Sequence, residues 1–168
     1  LLNGTIISRI YSADYKKDIY EYMKLLKSNN IDPITAYDME YPYSLKQIPD
    51  KPMVIYTKGR KIKNDDIKIA IVGSRKVSEY GKWATQKFTK ELTDLGITIV
   101  SGLALGVDAI AHSVTGMNKG NTIGVLGNGL GRVYPKENLT LYEEVVENGT
   151  LLSEFPHFTQ PDAMNFPA

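Results

Sequence analysis

The sequence predicts an α/β fold: a Rossmann-like, doubly wound and mostly parallel sheet with a small helical N-terminal segment. Three observations predict it. Short apolar runs alternate with amphipathic stretches every 25–28 residues from Ile69 onward. The first three apolar runs pass directly into loops of small residues rich in glycine. Each amphipathic stretch stops at or near a glycine, at Gly96, Gly120 and Gly149. Alternation of this kind means βαβ units with right-handed crossovers.

Residues 1–40 read as a polar, mostly helical segment, the remnant of a small helical domain. Asp18 to Lys27 carries Ile19, Met23 and Leu26 at helical spacing. Asn29-Asn30 ends that helix, and Asp32-Pro33 starts a new element. Residues 41–168 read as the Rossmann-like domain. Tyr41-Pro42-Tyr43 and Asp50-Lys51-Pro52 set irregular backbone, Met53–Tyr56 makes a short strand, and the polar residues Thr57 to Asp66 make a loop.

Ile69-Ala70-Ile71-Val72 is a continuous apolar run, the pattern of a strand buried on both faces. A helix over 79–95 places Ala84, Phe88, Leu92 and Leu95 on one face, with Gly96 at its C-terminus. Ile97–Val100 is a second buried strand. A helix over 106–118 turns Ile110, Ala111 and Val114 inward, and Thr122–Leu126 is a third strand. A helix over 138–147 carries Leu141, Val145 and Val146, and Thr150–Ser153 closes the series.

The composition is that of a globular chain: 168 residues, 42% hydrophobic and 23% charged. There is no cysteine, which excludes disulfides and thiolate metal sites. No apolar stretch is long enough to span a bilayer, and no signal peptide is visible, so a cytoplasmic location is the default expectation. The start at Leu1 and the end at Phe166-Pro167-Ala168 read as those of a piece of a longer protein. Net charge is only +1, but it is unevenly spread. Residues 69–136 hold eight Lys or Arg against four acids, and residues 137–168 hold six acids and no Lys or Arg. That distribution allows a local positive pocket.

In a parallel sheet, ligands bind beyond the carboxyl ends of the strands. Three loops meet that edge: Gly73-Ser74-Arg75, Ser101-Gly102-Leu103-Ala104-Leu105-Gly106, and Gly127-Asn128-Gly129-Leu130-Gly131. Their free N–H groups and the following helix N-termini suit an anion, so a phosphate-bearing ligand is expected. Arg75 can fork onto a phosphate, and Lys136 in Tyr134-Pro135-Lys136-Glu137-Asn138 reaches the same edge. No GxGxxG, no P-loop and no metal-ligand cluster is present, so no cofactor or metal is expected. Asp108 and His112 lie i, i+4 on one helix, where acid–base work is conceivable but a structural pair is the better reading. Ser101 and Ser153-Glu154 close strands without a GxSxG elbow, which argues against a hydrolase.

Several of these blocks carry a resemblance. Ile71-Val72-Gly73-Ser74-Arg75, Tyr80-Gly81, Ile99 to Asp108 with Ala111-His112, Val125 to Leu130, Tyr134 to Asn138 and Leu151 to Pro156 resemble the signature of the DNA-processing protein (DprA, or Smf) family. Tyr41-Pro42 and Ile55 to Gly59 match as well, so the similarity runs in order over about residues 41–167. The resemblance implies a DNA-binding protein for single-stranded DNA that protects incoming DNA in natural transformation (competence) and DNA recombination. It implies loading of the recombinase RecA, a homodimer in the full-length protein, and no enzymatic activity. It places Arg75, Lys136 and the backbone of the glycine loops in the DNA pocket. Gly73, Ser74, Ser101, Gly102, Gly106, Gly127, Asn128, Gly129 and Asn138 belong to those motifs. In the family an RNR segment follows FP, whereas this sequence stops at Ala168, so one wall of the pocket is expected beyond it. Tyr80, Tyr134, Phe155 and Phe158 are candidate stacking partners for bases. The alternative is a Rossmann-like nucleotide-binding enzyme or sensor, such as a nucleotide hydrolase of the lysine-decarboxylase-like type, although the PGGxGTxxE motif of that group is absent.

Overall fold

A computed structural model describes residues 15–166. Its elements are α1 (Tyr15–Ser28), β1 (Ile31–Thr35), a short turn α2 (Tyr43–Lys46), β2 (Val54–Gly59) and β3 (Lys68–Ala70). These are followed by α3 (Glu79–Asp94), β4 (Thr98–Ser101), α4 (Val107–Met117), β5 (Thr122–Leu126), α5 (Leu139–Asn148) and β6 (Thr150–Ser153). Single 3₁₀ turns occupy Lys136–Asn138 and Ala163–Asn165. One six-stranded sheet has the order β1-β2-β6-β5-β4-β3. β3, β4, β5 and β6 are parallel; β2 runs antiparallel to β6, and β1 to β2.

The three crossovers step the same way across the sheet, and right-handed connections then put α3, α4 and α5 on one face. Gly124, Val145, Leu151 and Leu103 meet on that face, and Leu26 of α1 and Ile31 join the same core. A smaller core on the opposite face gathers Tyr41, Ile55, Ile123 and Leu152 under the segment that includes Leu45 and Ile62. Tyr41 is fully buried and donates its hydroxyl to the Pro52 carbonyl at 2.6 Å, which fixes that covering segment. Beyond it the sheet is open: Ala70, Val72 and Val125 are exposed.

The α/β, Rossmann-like fold class is borne out, and β5 and β6 fall where expected, but several details differ. β3 is the edge strand, so Ile69, Ala70 and Val72 are exposed rather than buried on both faces. On α3 the buried residues are Thr85, Thr89 and Thr93, while Phe88 and Leu95 are exposed. The reason is close packing: a Cβ on Gly120 would run into the Thr93 methyl, so only small side chains fit between α3 and the end of α4. On α4 the deepest residues are Asp108, Ala111, His112 and Thr115, with Ile110 and Val114 half-buried. On α1 only Leu26 of the three spaced residues is buried. β2 continues to Gly59, into what reads as a loop. β1, through its register with β2, and Leu26, through the core, tie residues 26–35 to the same sheet and core. Residues 1–14 of the expected helical segment lie outside the described residues, as do Pro167 and Ala168.

Candidate nucleic-acid interface

The carboxyl ends of β3, β4 and β5 converge as expected. Ile71 N–H donates to the Val100 carbonyl, extending the β3–β4 pairing to the lip of the edge. The first loop is braced from within: Ser74 Oγ donates to the Lys76 carbonyl at 2.8 Å and accepts its N–H at 3.1 Å. Its backbone rests on the second loop. Val107 N–H donates to the Ser74 carbonyl, and any Cβ on Gly106 would fall on the Ser74 and Arg75 carbonyls. Gly106 has φ +85, a conformation that glycine tolerates and L side chains rarely adopt. Gly73, Ser74 and Arg75 themselves are exposed.

The second loop is held from behind by two polar side chains. Asp108, buried in the first turn of α4, accepts the Gly102 N–H at 3.0 Å. Asn138 Nδ2 donates to the carbonyl of fully buried Leu103, which has φ +56. Ser101 Oγ donates to the Ile71 carbonyl at 2.6 Å, tying the second strand end to the first. Ser101 and Asn138, both buried, thus brace the edge from inside.

The third loop departs furthest from the free-amide picture. Gly129 N–H donates to Thr159 O and Gly131 N–H to His157 O. Asn128 is buried, its Nδ2 donating to the Gly129 and Arg132 carbonyls, while Ser153 Oγ donates to the Asn128 carbonyl. The segment after β6 lies across this loop so closely that a Cβ on Gly127 would meet Asn165 O and the Phe166 ring. Two of the amides expected to face an anion are therefore consumed within the fold.

What stays open is a depression of about 60 Å³ lined by Arg75, Gly102, Ala104, Leu105, Tyr134, Pro135 and Phe166. Its lining brings one arginine and two aromatic residues together with small and apolar residues of the second loop. Tyr134 and Phe166 pack with centroids 5.6 Å apart, and the Tyr134–Pro135 peptide is cis. Lys136 follows Pro135 and is exposed. A larger groove of about 800 Å³ runs between α1 and β1–β2, away from the strand carboxyl ends. Leu105 and Phe166 are lining residues that sequence reasoning missed; an apolar residue in a loop carries no chemical signature. Of the stacking candidates, Tyr80 and Phe158 are largely exposed and Phe155 is half-buried.

His112 takes no part in this edge. It is buried on α4 with Nδ1 2.7 Å from Thr122 Oγ, and that hydroxyl donates onward to the Ile99 carbonyl. The neutral ring therefore carries its proton on Nδ1. Burial holds its pKa down to about 4, against the opposing pull of the Ser101 carbonyl. Asp108 is committed to Gly102, so neither residue is placed for acid–base work. Among the described residues no group of acidic or histidine side chains could hold a metal ion, and no helix is long and apolar enough to cross a membrane.

With this geometry in hand, the similarities are specific. The family model for DNA recombination-mediator protein A matches residues 32–168. DNA processing protein DprA of Bacillus subtilis is 36% identical over 167 residues, covering 95% of this chain and 56% of that protein. Protein Smf of Synechocystis is also 36% identical over 167 residues, covering 97% and 42%. The X-ray structure of DprA from Streptococcus pneumoniae superposes with a TM-score of 0.87 at 32% identity, covering 99% of this chain and 57% of that one. A Helicobacter pylori DNA processing protein A structure, described for its single-stranded DNA binding mode, superposes with a TM-score of 0.71 at 32% identity, covering 80% and 61%. The chain spans about half the length of the curated relatives it matches. Sequence and structure agree over nearly all of its residues: the chain belongs to the DNA recombination-mediator protein A family.

Proposed function

We propose that this chain forms the single-stranded DNA-binding part of a recombination mediator and holds the phosphate backbone at the edge shared by Arg75 and Lys136. One observation carries the reading. The exposed residue Arg75 stands on a loop locked against Gly106 and lines a depression together with the aromatic residues Tyr134 and Phe166, at the end of a parallel sheet where ligands bind. A planar donor fork suits a phosphate, and aromatic rings suit unpaired bases. The Helicobacter pylori relative, described as binding single-stranded DNA, supports the same assignment. In the whole protein this site serves recombination by presenting the strand to the recombinase RecA in the cytoplasm. A homodimer brings two such sites onto one strand, where linkage raises the avidity of few contacts. The role is binding, without catalysis. Asn138, Ser101 and Asn128 act as supports of the loops, while Gly73, Ser74, Gly102, Gly106, Gly127 and Gly129 let the backbone approach.

Fluorescence anisotropy on the intact protein tests this, with oligo-dT and duplex DNA of equal length. Oligo-dT binds more tightly, and Arg75→Ala/Lys136→Ala weakens it while lowering the salt slope by about 1.4 for two lost phosphate contacts. Unchanged affinity and slope in the double variant refute the assignment. Preferential binding of a free mononucleotide favours the nucleotide-enzyme or sensor reading instead.

A further inference from the structure

Helix α3 carries a feature that the Arg75 depression does not use. Tyr80 and Trp83, in its first turn and a half, are 74% and 53% exposed. Their rings lie against each other with centroids 5.8 Å apart and planes inclined by 34°. Lys87 Nζ stands 5.3 Å from the centroid of the Trp83 ring. Two large aromatic rings packed against each other at the surface make a contiguous apolar patch, and such a patch marks a contact surface. The position of this pair narrows the partner. Three residues separate Arg75 from the first residue of α3, and Ser78 caps that helix by accepting the Gly81 N–H at 3.1 Å. The rings therefore sit on the first stretch of helix beyond the phosphate-binding loop. Their near surroundings are cationic: Lys76, Lys82 and Lys87 are exposed, with Glu79 the one acid in residues 75–87.

We propose that Tyr80 and Trp83 form a base-stacking platform that receives nucleobases of the strand as it leaves the Arg75 depression, with Lys87 and Lys82 following its phosphates. This rests on the single-stranded DNA reading above and adds the surface that takes the bases. Flat, exposed rings stack any base, because each presents a π-face, and the lysines supply charge that follows the backbone. A duplex, whose bases are already stacked, gains nothing from such a surface. The platform thus favours single strands over duplex without reading sequence.

Trp83 is the one tryptophan of this sequence, and the Trp83→Phe protein serves as the blank that assigns its emission. Three ligands are titrated into the intact protein: oligo-dT, duplex DNA, and an abasic deoxyribose-phosphate strand of the same length. Tryptophan emission and the anisotropy of end-labelled strands are followed together. Oligo-dT is expected to quench Trp83, and the abasic strand to bind through its phosphates without quenching. Trp83→Ala with Tyr80→Ala is expected to weaken oligo-dT about tenfold, leaving the abasic strand unaffected, and Trp83→Phe to restore most of the loss. The pair is exposed, so these variants fold, and circular dichroism checks that. Oligo-dT binding that depends on Arg75 but neither quenches Trp83 nor responds to the variants overturns the platform and leaves the Arg75 site standing. A loss of abasic-strand binding equal to that of oligo-dT also overturns it, by assigning the effect to charge. Failure of any strand to bind overturns both.

Discussion

Gly106→Ala puts a single methyl where the first and second loops touch. The added Cβ would fall on the Ser74 carbonyl and 2.7 Å from the Arg75 carbonyl, both backbone atoms that no rotamer change can move aside. The backbone at Gly106, φ +85 and ψ −125, is also one that an L residue adopts only under strain. Forcing such a conformation costs about 1–3 kcal/mol, and overpacking against fixed atoms adds about as much. A loss of about 3 kcal/mol is expected, a large share of the 5–15 kcal/mol typical of a domain. Relief comes from moving the Arg75 loop away, so oligo-dT affinity should fall together with stability. Gly116→Ala is the matched control: it lies in α4, with nothing within 4 Å of its added Cβ. Helix propensity alone makes it stabilising, by about 0.5–1 kcal/mol. Urea unfolding of both variants, with anisotropy on oligo-dT, is the assay. A Gly106→Ala protein as stable as the parent, or equal losses for the two alanines, refutes the loop-contact argument.

Other expectations concern buried polar groups. His112 has its folded pKa lowered to about 4, so the unfolded chain binds the extra proton first as pH falls. Its stabilising contribution is complete above about pH 6.5 and lost as pH falls towards 4, about 3 kcal/mol in all; urea midpoints across that range and the NMR titration of its ring check it. An ordinary titration near 6.5 would contradict the burial. Asp108→Ala leaves the Gly102 N–H without its acceptor, for an expected loss of about 2 kcal/mol and faster hydrogen exchange at Gly102. Thr89→Val should stabilise by about 1 kcal/mol, because Thr89 Oγ is fully buried with no hydrogen-bond partner and valine keeps its shape. A destabilised Thr89→Val protein in thermal melts would show that the hydroxyl is satisfied in solution.

The elements most legible in the sequence are those whose surroundings match their pattern. β5, β6 and α5 are central, and Leu126, Leu141, Val145 and Leu151 are buried as their spacing implies. β3 has an equally apolar sequence, but strand order places it at the edge, and order is a long-range property that a local run does not contain. β1 was harder to read because Pro33 argues against a strand; an edge strand tolerates proline, whose missing N–H need not pair. On α3, hydrophobicity points to Phe88 and Leu95, whereas the decisive quantity is how near Thr93 must come to Gly120. At the site, the convergence of three loops and the exposure of Arg75 follow from parallel topology. Occupation of the Gly129 and Gly131 amides does not, because their acceptors lie in a segment that returns after the last strand.

That returning segment has a second anchor. His157 N–H donates at 3.0 Å to the hydroxyl of Tyr22, a residue of α1 that is 135 positions earlier. Tyr22 also packs edge-on against Tyr56 of β2, and the His157 ring fills the space that a Cβ on Gly131 would need. The first described helix and the last glycine loop are thus fastened together by one phenol. Trimming α1 to obtain a smaller DNA-binding unit would remove the clasp that keeps residues 156–159 pressed onto Gly129 and Gly131. The third loop would then regain its two spoken-for amides, and an edge that now offers one well-defined cradle would become a looser and more anion-hungry one.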